Sequence, residues 1–230
     1  MKTLLVNASQ IITVNTNKKN FKRGIELNDI DLLTDHAILI EDGKILDFIS
    51  NSGIGKFTSA ERIDLKNKIV LPGLVECHTH LTFLGSRANE FKLKLSGASY
   101  EEIALSGGGI LSTVQKVRGA SHEELLTDSL PKINRFIEQG ITTLEIKSGY
   151  GLSYYDEIKL LQVINSLKSQ SKIEIIPTFL GAHTYPPEYK NDHKKYIQII
   201  STELIPFIAK NKLAEFCDIF CEKTEFTSDD

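Results

Sequence analysis

Short apolar or alternating runs dominate the first part of the chain. Residues 3–6, 11–14, 37–41 and 44–49 each read as a strand, and Asp42-Gly43 stands between the last two. Asp-Gly between apolar runs predicts a two-residue hairpin, because both turn positions must accept positive φ. The polar stretches 15–35 and 51–60 read as loop. The pattern changes at Ile69. From there, continuous apolar runs at 69–75, 141–146, 173–180 and 214–221 alternate with helical spacing. Ser121-His122-Glu123-Glu124 fits a capping box, in which the serine oxygen and the glutamate carboxylate satisfy free amides of the first turn. Leu126, Leu130, Ile133 and Ile137 then supply one apolar face, and Gly140 ends the helix. Ile158, Leu161, Ile164 and Leu167 mark a second helix over 155–167, and a third spans 192–210. Pro131 and Pro206 fall inside helical patterns, where a missing N–H and a ring clash kink or shift the helix.

Strands that are apolar throughout and separated by helices predict a parallel sheet covered on both faces. Right-handed crossovers leave two outcomes for such a sheet, an open one or a barrel. The expected organisation is therefore a small strand-rich domain over 1–68 and an α/β domain over 69–230 with about four parallel strands. No internal repeat or low-complexity tract interrupts it.

Composition narrows the function class. The 230 residues are 41% hydrophobic and 25% charged, with a formal net charge of -3. That balance gives no reason to expect a nucleic-acid partner, and no Lys/Arg block marks a membrane surface. Asn7, Ser9 and Gln10 break the N-terminal apolar run before it could act as a signal core, and no run approaches the roughly 20 apolar residues of a bilayer span. Cys77, Cys217 and Cys221 lack ligand-like spacing and read as reduced thiols, which places the expected protein in the cytoplasm.

The chemistry concentrates where strands end. Pro72-Gly73-Leu74-Val75-Glu76-Cys77-His78-Thr79-His80 runs an apolar strand into His-x-His. Side chains two apart on a strand share a face, so both imidazoles point the same way at the C-terminal end. Two neutral imidazoles on one face are a first pair of ligands for zinc or iron; two surface histidines are the bland alternative. The strand Ile141-Thr142-Thr143-Leu144-Glu145-Ile146 ends in Lys147-Ser148-Gly149-Tyr150-Gly151, whose glycines allow close backbone approach. Tyr150 there either donates to a substrate or packs under the loop. Pro177-Thr178-Phe179-Leu180-Gly181-Ala182 leads to His183, a substrate contact, metal ligand, proton-transfer group or structural histidine. Arg87, a short loop after the histidine pair, either clamps a substrate carboxylate or pairs with Glu90. Ser106-Gly107-Gly108-Gly109-Ile110 lacks the Lys-Ser/Thr of a phosphate loop and reads as a lid or a close backbone approach. Glu222 sits at the edge of the last strand with no assigned role.

PGLVECHTH resembles the metal-binding opening of the amidohydrolase superfamily, which joins a barrel to a small β-sandwich. GGGILSTV, TTLEIKSGYGL, TFLGAHTYPPEY and FCDIFCEKTEF, in that order, are similar to the imidazolonepropionase family within it. The resemblance implies an α/β fold, an incomplete (β/α)8 TIM-like barrel of about four strands preceded by part of a β-sandwich. It implies hydrolysis of 4-imidazolone-5-propanoate to N-formimino-L-glutamate in histidine breakdown. It makes His78 and His80 ligands to one zinc or iron ion and Arg87, Tyr150 and His183 substrate contacts, and homodimers are common in the family. The family pattern continues with a further His ligand, a catalytic Glu, a catalytic His and an Asp ligand beyond Asp230. The general acid–base residues are therefore expected outside these 230 residues, and the stretch on its own is expected to be poorly stable and inactive. Competing readings are another cyclic-amide hydrolase or deaminase of the superfamily, and a non-catalytic half-barrel.

Overall fold

A computed structural model describes residues 1–97, 99, 102, 108–222 and 225–230. The chain divides into two compact units, Met1–Pro72 and Gly73–Asp230.

The first unit holds two sheets. In one, β1 (Lys2–Val6) pairs antiparallel with β4 (His36–Glu41) and parallel with β6 (Glu61–Asp64), while β5 (Lys44–Ser50) extends the far edge. In the other, β2 (Gln10–Ile12) lies between β3 (Leu32–Leu33) and β7 (Ile69–Val70). Asp42 and Gly43 turn the β4–β5 hairpin at φ +50° and +78°, the positive pair that Asp-Gly was expected to supply. Leu4, Val6, Ala37, Leu39 and Ala60 form the unit's core. Three elements fall where the sequence reads as loop or is silent. Gly24–Asn28 and Asn51–Lys56 are 3-10 turns, and β3 lies inside the polar stretch. The strand β6 escapes because it is an exposed edge with one apolar residue, Ile63. The apolar run that starts at Ile69 also breaks in two. Its first residues pair with β2, and Pro72 separates them from the strand that follows.

The second unit is a four-stranded, all-parallel sheet, in the order β8 (Leu74–Glu76), β9 (Ile141–Lys147), β10 (Glu174–Ala182), β11 (Phe216–Ile219). This is the α/β, four-strand partial barrel expected from the sequence. Gly73 enters it under tight constraint. A Cβ there would lie 2.0 Å from Thr142 Oγ1 and 2.7 Å from Thr142 Cβ, so only glycine lets β8 lie against β9.

The helices form for local reasons. After α1 (Ala88–Leu95) and α2 (Ile110–Gly119), α3 (His122–Glu138) opens on the expected capping box: Glu124 N donates to Ser121 Oγ at 3.2 Å and Ser121 N to Glu124 Oε2 at 2.8 Å. It runs through Pro131 as one helix. Helix α4 (Tyr154–Gln170) starts on Ser153, whose Oγ accepts from Asp156 N, and buries Ile158, Leu160, Leu161, Val163, Ile164 and Leu167. The last helical stretch changes pitch. It runs as α5 (His193–Gln198), a π turn over Ile199–Leu204 and α6 (Ile205–Lys210). Pro206 has no N–H to give and its ring crowds the turn before it; the wider turn, in which Ile205 N bonds Ile200 O, absorbs that clash. The main core lies between α3, α4, the last helical stretch and the strands β9 and β10. Among the described residues, no helix is long and apolar enough to cross a membrane.

Candidate functional site

Strand β8 ends at Glu76, so the histidine pair sits on the segment just beyond it. That segment is stitched to β9 by Thr79, whose Oγ1 donates to Glu145 O at 2.6 Å and whose carbonyl accepts from Lys147 N at 2.9 Å. With Thr79 turned toward β9, its two neighbours project together. The His78 and His80 rings stand edge to face with centroids 5.7 Å apart.

The ends of β9 and β10 complete an aromatic cluster. His183 stacks on His80 at 4.8 Å and 14°, and Tyr150 lies 5.1 Å from His80 and 5.6 Å from His183. Phe220, after β11, closes on His183 at 5.8 Å. Four residues picked out from three separated segments therefore converge on one rim. Arg87 lies on the loop after the pair and, with Tyr150, Phe83, Ser86 and Thr113, lines a pocket of about 200 Å³. Its guanidinium also bonds Glu90, Nε at 2.8 Å and a terminal nitrogen at 2.6 Å, and Glu90 accepts from Gly109 N as well. The pairing with Glu90 considered from the sequence thus exists, in a place beside the pocket. Ser106 and Gly107 of the glycine-rich loop, and Lys223 and Thr224 of the last motif, lie outside the described residues. Glu222 is exposed, and its N–H bonds Phe226 O.

Both ring-stacked histidines are held in one tautomer. His80 Nδ1 is 3.2 Å from Ser148 O, and His183 Nδ1 is 2.9 Å from Gly149 O. A carbonyl only accepts, so each Nδ1 carries a proton, and the neutral ring keeps its lone pair on Nε2. Burial, reinforced by His183, pushes the His80 pKa down to about 4, so this imidazole is neutral at ordinary pH. Burial raises the Tyr150 pKa against the pull of Arg87, which keeps the phenol protonated as a donor. A neutral imidazole with a free Nε2 is the form that binds zinc or iron, so His80 fits such an ion. Among the described residues, no three His, Cys, Asp or Glu side chains are grouped to hold one.

Two features of the site were not anticipated. Below the rim, Lys147 Nζ bridges Glu145 Oε1 at 2.9 Å and Asp218 Oδ2 at 2.7 Å, and Thr178 Oγ1 donates to the same Glu145 oxygen at 2.7 Å. Burial alone would lower the Lys147 pKa; its bonds to Asp218 and Glu145 outweigh that and raise it. The alternation of Glu145 and Lys147 along β9 was the available signal, because it puts two charges beside Thr143 on one face of the strand, opposite Leu144 and Ile146. The second feature is Glu157. It is fully buried on α4, and its Oε1 accepts from Gly151 N and Leu152 N, both at 2.8 Å, while Gly149 N lies 3.1 Å from its Oε2. Burial pushes its pKa up, opposed by Ser148 and those amides. A charge one step from Ile158, and three and four residues before Leu160 and Leu161, breaks the apolar stripe; that break was its signature.

Fold and rim together define a parallel α/β partial barrel with a histidine-bearing C-terminal edge, the edge on which barrel active sites lie. Curated relatives make the likeness specific: the chain is similar to the N-terminal portion of imidazolonepropionases. It is 40% identical over 226 residues to the imidazolonepropionase of Brevibacillus brevis, covering 96% of this chain and 53% of that protein. It is 44% identical over 203 residues to that of Thermoanaerobacter pseudethanolicus, covering 88% of this chain and 48% of that protein. The chain spans about half the length of the curated relatives it matches. No family model matches it. Among solved structures, an uncharacterized metal-dependent hydrolase from Pyrococcus furiosus superposes with a TM-score of 0.49 and 12% identity, over 85% of this chain and 52% of that one.

Proposed function

We propose that the chain carries the N-terminal part of a cytoplasmic, metal-dependent imidazolonepropionase, which hydrolyses 4-imidazolone-5-propanoate to N-formimino-L-glutamate. The first unit, read from the sequence as 1–68 and extended to Pro72 by the pairing of Ile69–Val70 with β2, belongs to its small β-sandwich, and the second, from Gly73, to its barrel. The single observation that carries this reading is the rim itself, where the His78, His80, Tyr150 and His183 rings meet beside the pocket lined by Arg87. Identity of 40–44% across most of the chain supports the choice of substrate. Three exposed, unbridged thiols suit a reducing compartment.

In this reading His78 and His80 hold one zinc or iron ion. Such an ion, when bound, polarises the lactam carbonyl and lowers the pKa of water. Arg87 faces the propionate carboxylate, where a planar guanidinium gives charge-assisted, paired hydrogen bonds. Tyr150, kept as a phenol, donates to the ring substituents, and His183 meets the substrate through Nε2. No residue of the chain is given the general acid–base role.

Zinc and iron titrations of the metal-free chain test the first half of the proposal, and binding of imidazole propionate, which has the same carboxylate and no scissile lactam, tests the second. His78→Ala and His80→Ala each weaken metal binding at least about 10-fold. Arg87→Met weakens the analogue by roughly 10- to 100-fold, the worth of a hydrogen bond between charged groups. A chain that binds neither metal nor analogue, or that prefers dihydroorotate to imidazole propionate, rules the reading out.

A further inference from the structure

We propose that Glu157 is a positioning residue that sets the tautomers of His80 and His183 from behind the sheet. The argument is a chain of hydrogen bonds. Helix α4 presents the Glu157 carboxylate to the turn after β9, where Gly149, Gly151 and Leu152 all direct their N–H groups at it, at 3.1, 2.8 and 2.8 Å. Carboxylate oxygens only accept, so three convergent donors match the ionised group and no apolar side chain could replace it. With those amides pointing back into the protein, the carbonyls at the start of the same turn face the rim. Ser148 O takes the His80 Nδ1 proton and Gly149 O takes the His183 Nδ1 proton, at 3.2 and 2.9 Å. Each imidazole then offers Nε2 outward.

The turn cannot hold this shape unaided. Gly149 sits at φ +99° and Leu152 at φ +50°, and for leucine that region carries a steric cost. A Cβ on Gly151 would lie 2.5 Å from the backbone of Asp156 and Glu157, so the turn is pressed directly onto the first residues of α4. Ser148 is held from the other side: its N–H donates to Thr178 O, and its Oγ accepts from Leu180 N at 2.9 Å. Arg118 grips the carbonyls at the turn's far end, donating to Gly151 O at 2.7 Å and to Leu152 O at 2.8 Å, and Glu157 is the fixed point for the turn's amides. One buried charge thereby orders two rings that come from different strands, and the stacking of His80 on His183 follows from both being tied to adjacent carbonyls.

The tautomer assignment stands on geometry; its consequence for metal binding rests on the function proposed above. The test is histidine two-bond 1H–15N spectroscopy on the metal-free chain, comparing wild type with Glu157→Gln, which keeps the shape and removes the charge and one acceptor. In wild type, His80 and His183 are expected as the Nδ1–H form. In folded E157Q, the Gly149, Gly151 and Leu152 amide protons are expected to move upfield, both rings to show mixed tautomers, and zinc affinity to fall roughly 10- to 100-fold. A role confined to stability would lower Tm and leave the tautomers of the folded variant alone, and that result overturns the proposal. If E157Q does not fold, wild type still decides: couplings across the hydrogen bonds between those amide nitrogens and the Glu157 carboxyl carbon must be present together with both Nδ1–H rings, and their absence overturns it. Failure of wild type to bind zinc defeats the metal-site reading while the tautomers still decide the role of Glu157.

Discussion

Two inner and two outer strands of one parallel sheet have apolar sequences of the same kind, yet they end in opposite environments. On β9 and β10, Leu144, Ile146 and Ile175 are fully buried. On β8 and β11, Val75 is 64% exposed and Phe216 62%. Composition does not separate these residues; neighbours do. An inner strand has a ladder on each side and helices packed over it, whereas an edge strand leaves one row of backbone groups and much of its side-chain surface open. The rim follows the same division. His80, Tyr150 and His183 are half-buried and tied to the turns after the inner strands, and His78, carried on the outer strand's extension, is exposed. Order in the site is inherited from the middle of the sheet.

The comparison breaks most visibly at its core. Leu161 is fully buried on α4, and removing its branched end leaves a cavity among side chains that cannot collapse to fill it. Leu161→Ala is expected to cost about 2–5 kcal/mol, read as a fall in the urea midpoint at unchanged m-value. A cost under about 1 kcal/mol would mean that the α4–sheet interface is loose and that the inner strands owe their order to something else.

How far the sequence showed all this differs by region, for physical reasons. The inner strands, the hairpin turn and the capped helix α3 were legible, because each is specified by local chemistry: apolar continuity, Asp-Gly at positive φ, and Ser121 paired with Glu124. The strand β6 was not, since its place is fixed by pairing with β1 across a long separation and not by its own residues. In the site, His78, His80, Tyr150 and His183 were legible as polar groups following apolar strands, and their meeting on one rim follows from parallel strands sharing a direction. Lys147, Asp218 and Glu157 were not assigned roles. A surface charge and a buried one look alike in a sequence, and only the fold shows that Glu157 faces three amides and that Lys147 bridges two carboxylates.

A smaller effect is expected where inner and outer strands touch. Gly73 needs no positive φ; it is required because its Cβ would overlap Thr142. Gly73→Ala is expected to cost about 1–3 kcal/mol through displacement of β8, the range for overpacking a fitted contact. Adding Thr142→Gly removes the opposing atoms, so the double variant should recover part of that loss beyond additivity, measured by a double-mutant cycle. Additive losses would show that β8 and β9 are not in the close register that brings Leu74 opposite Ile141.

The smallest effect belongs to the open edge, and it sharpens the comparison most. Val75 lies on β8 with most of its surface in water, so Val75→Ala removes little buried area. A change within about 0.5 kcal/mol is expected, as for other surface positions. The same substitution at a covered position deletes roughly two buried methylene equivalents at about 0.8 kcal/mol each. Thermal or urea unfolding therefore reports whether anything shields the edge in solution. A cost near that of a buried valine would show β8 covered, and the contrast between inner and outer strands would then be a matter of what is bound to the sheet, with the sequence of β8 already suited to a neighbour on its free side.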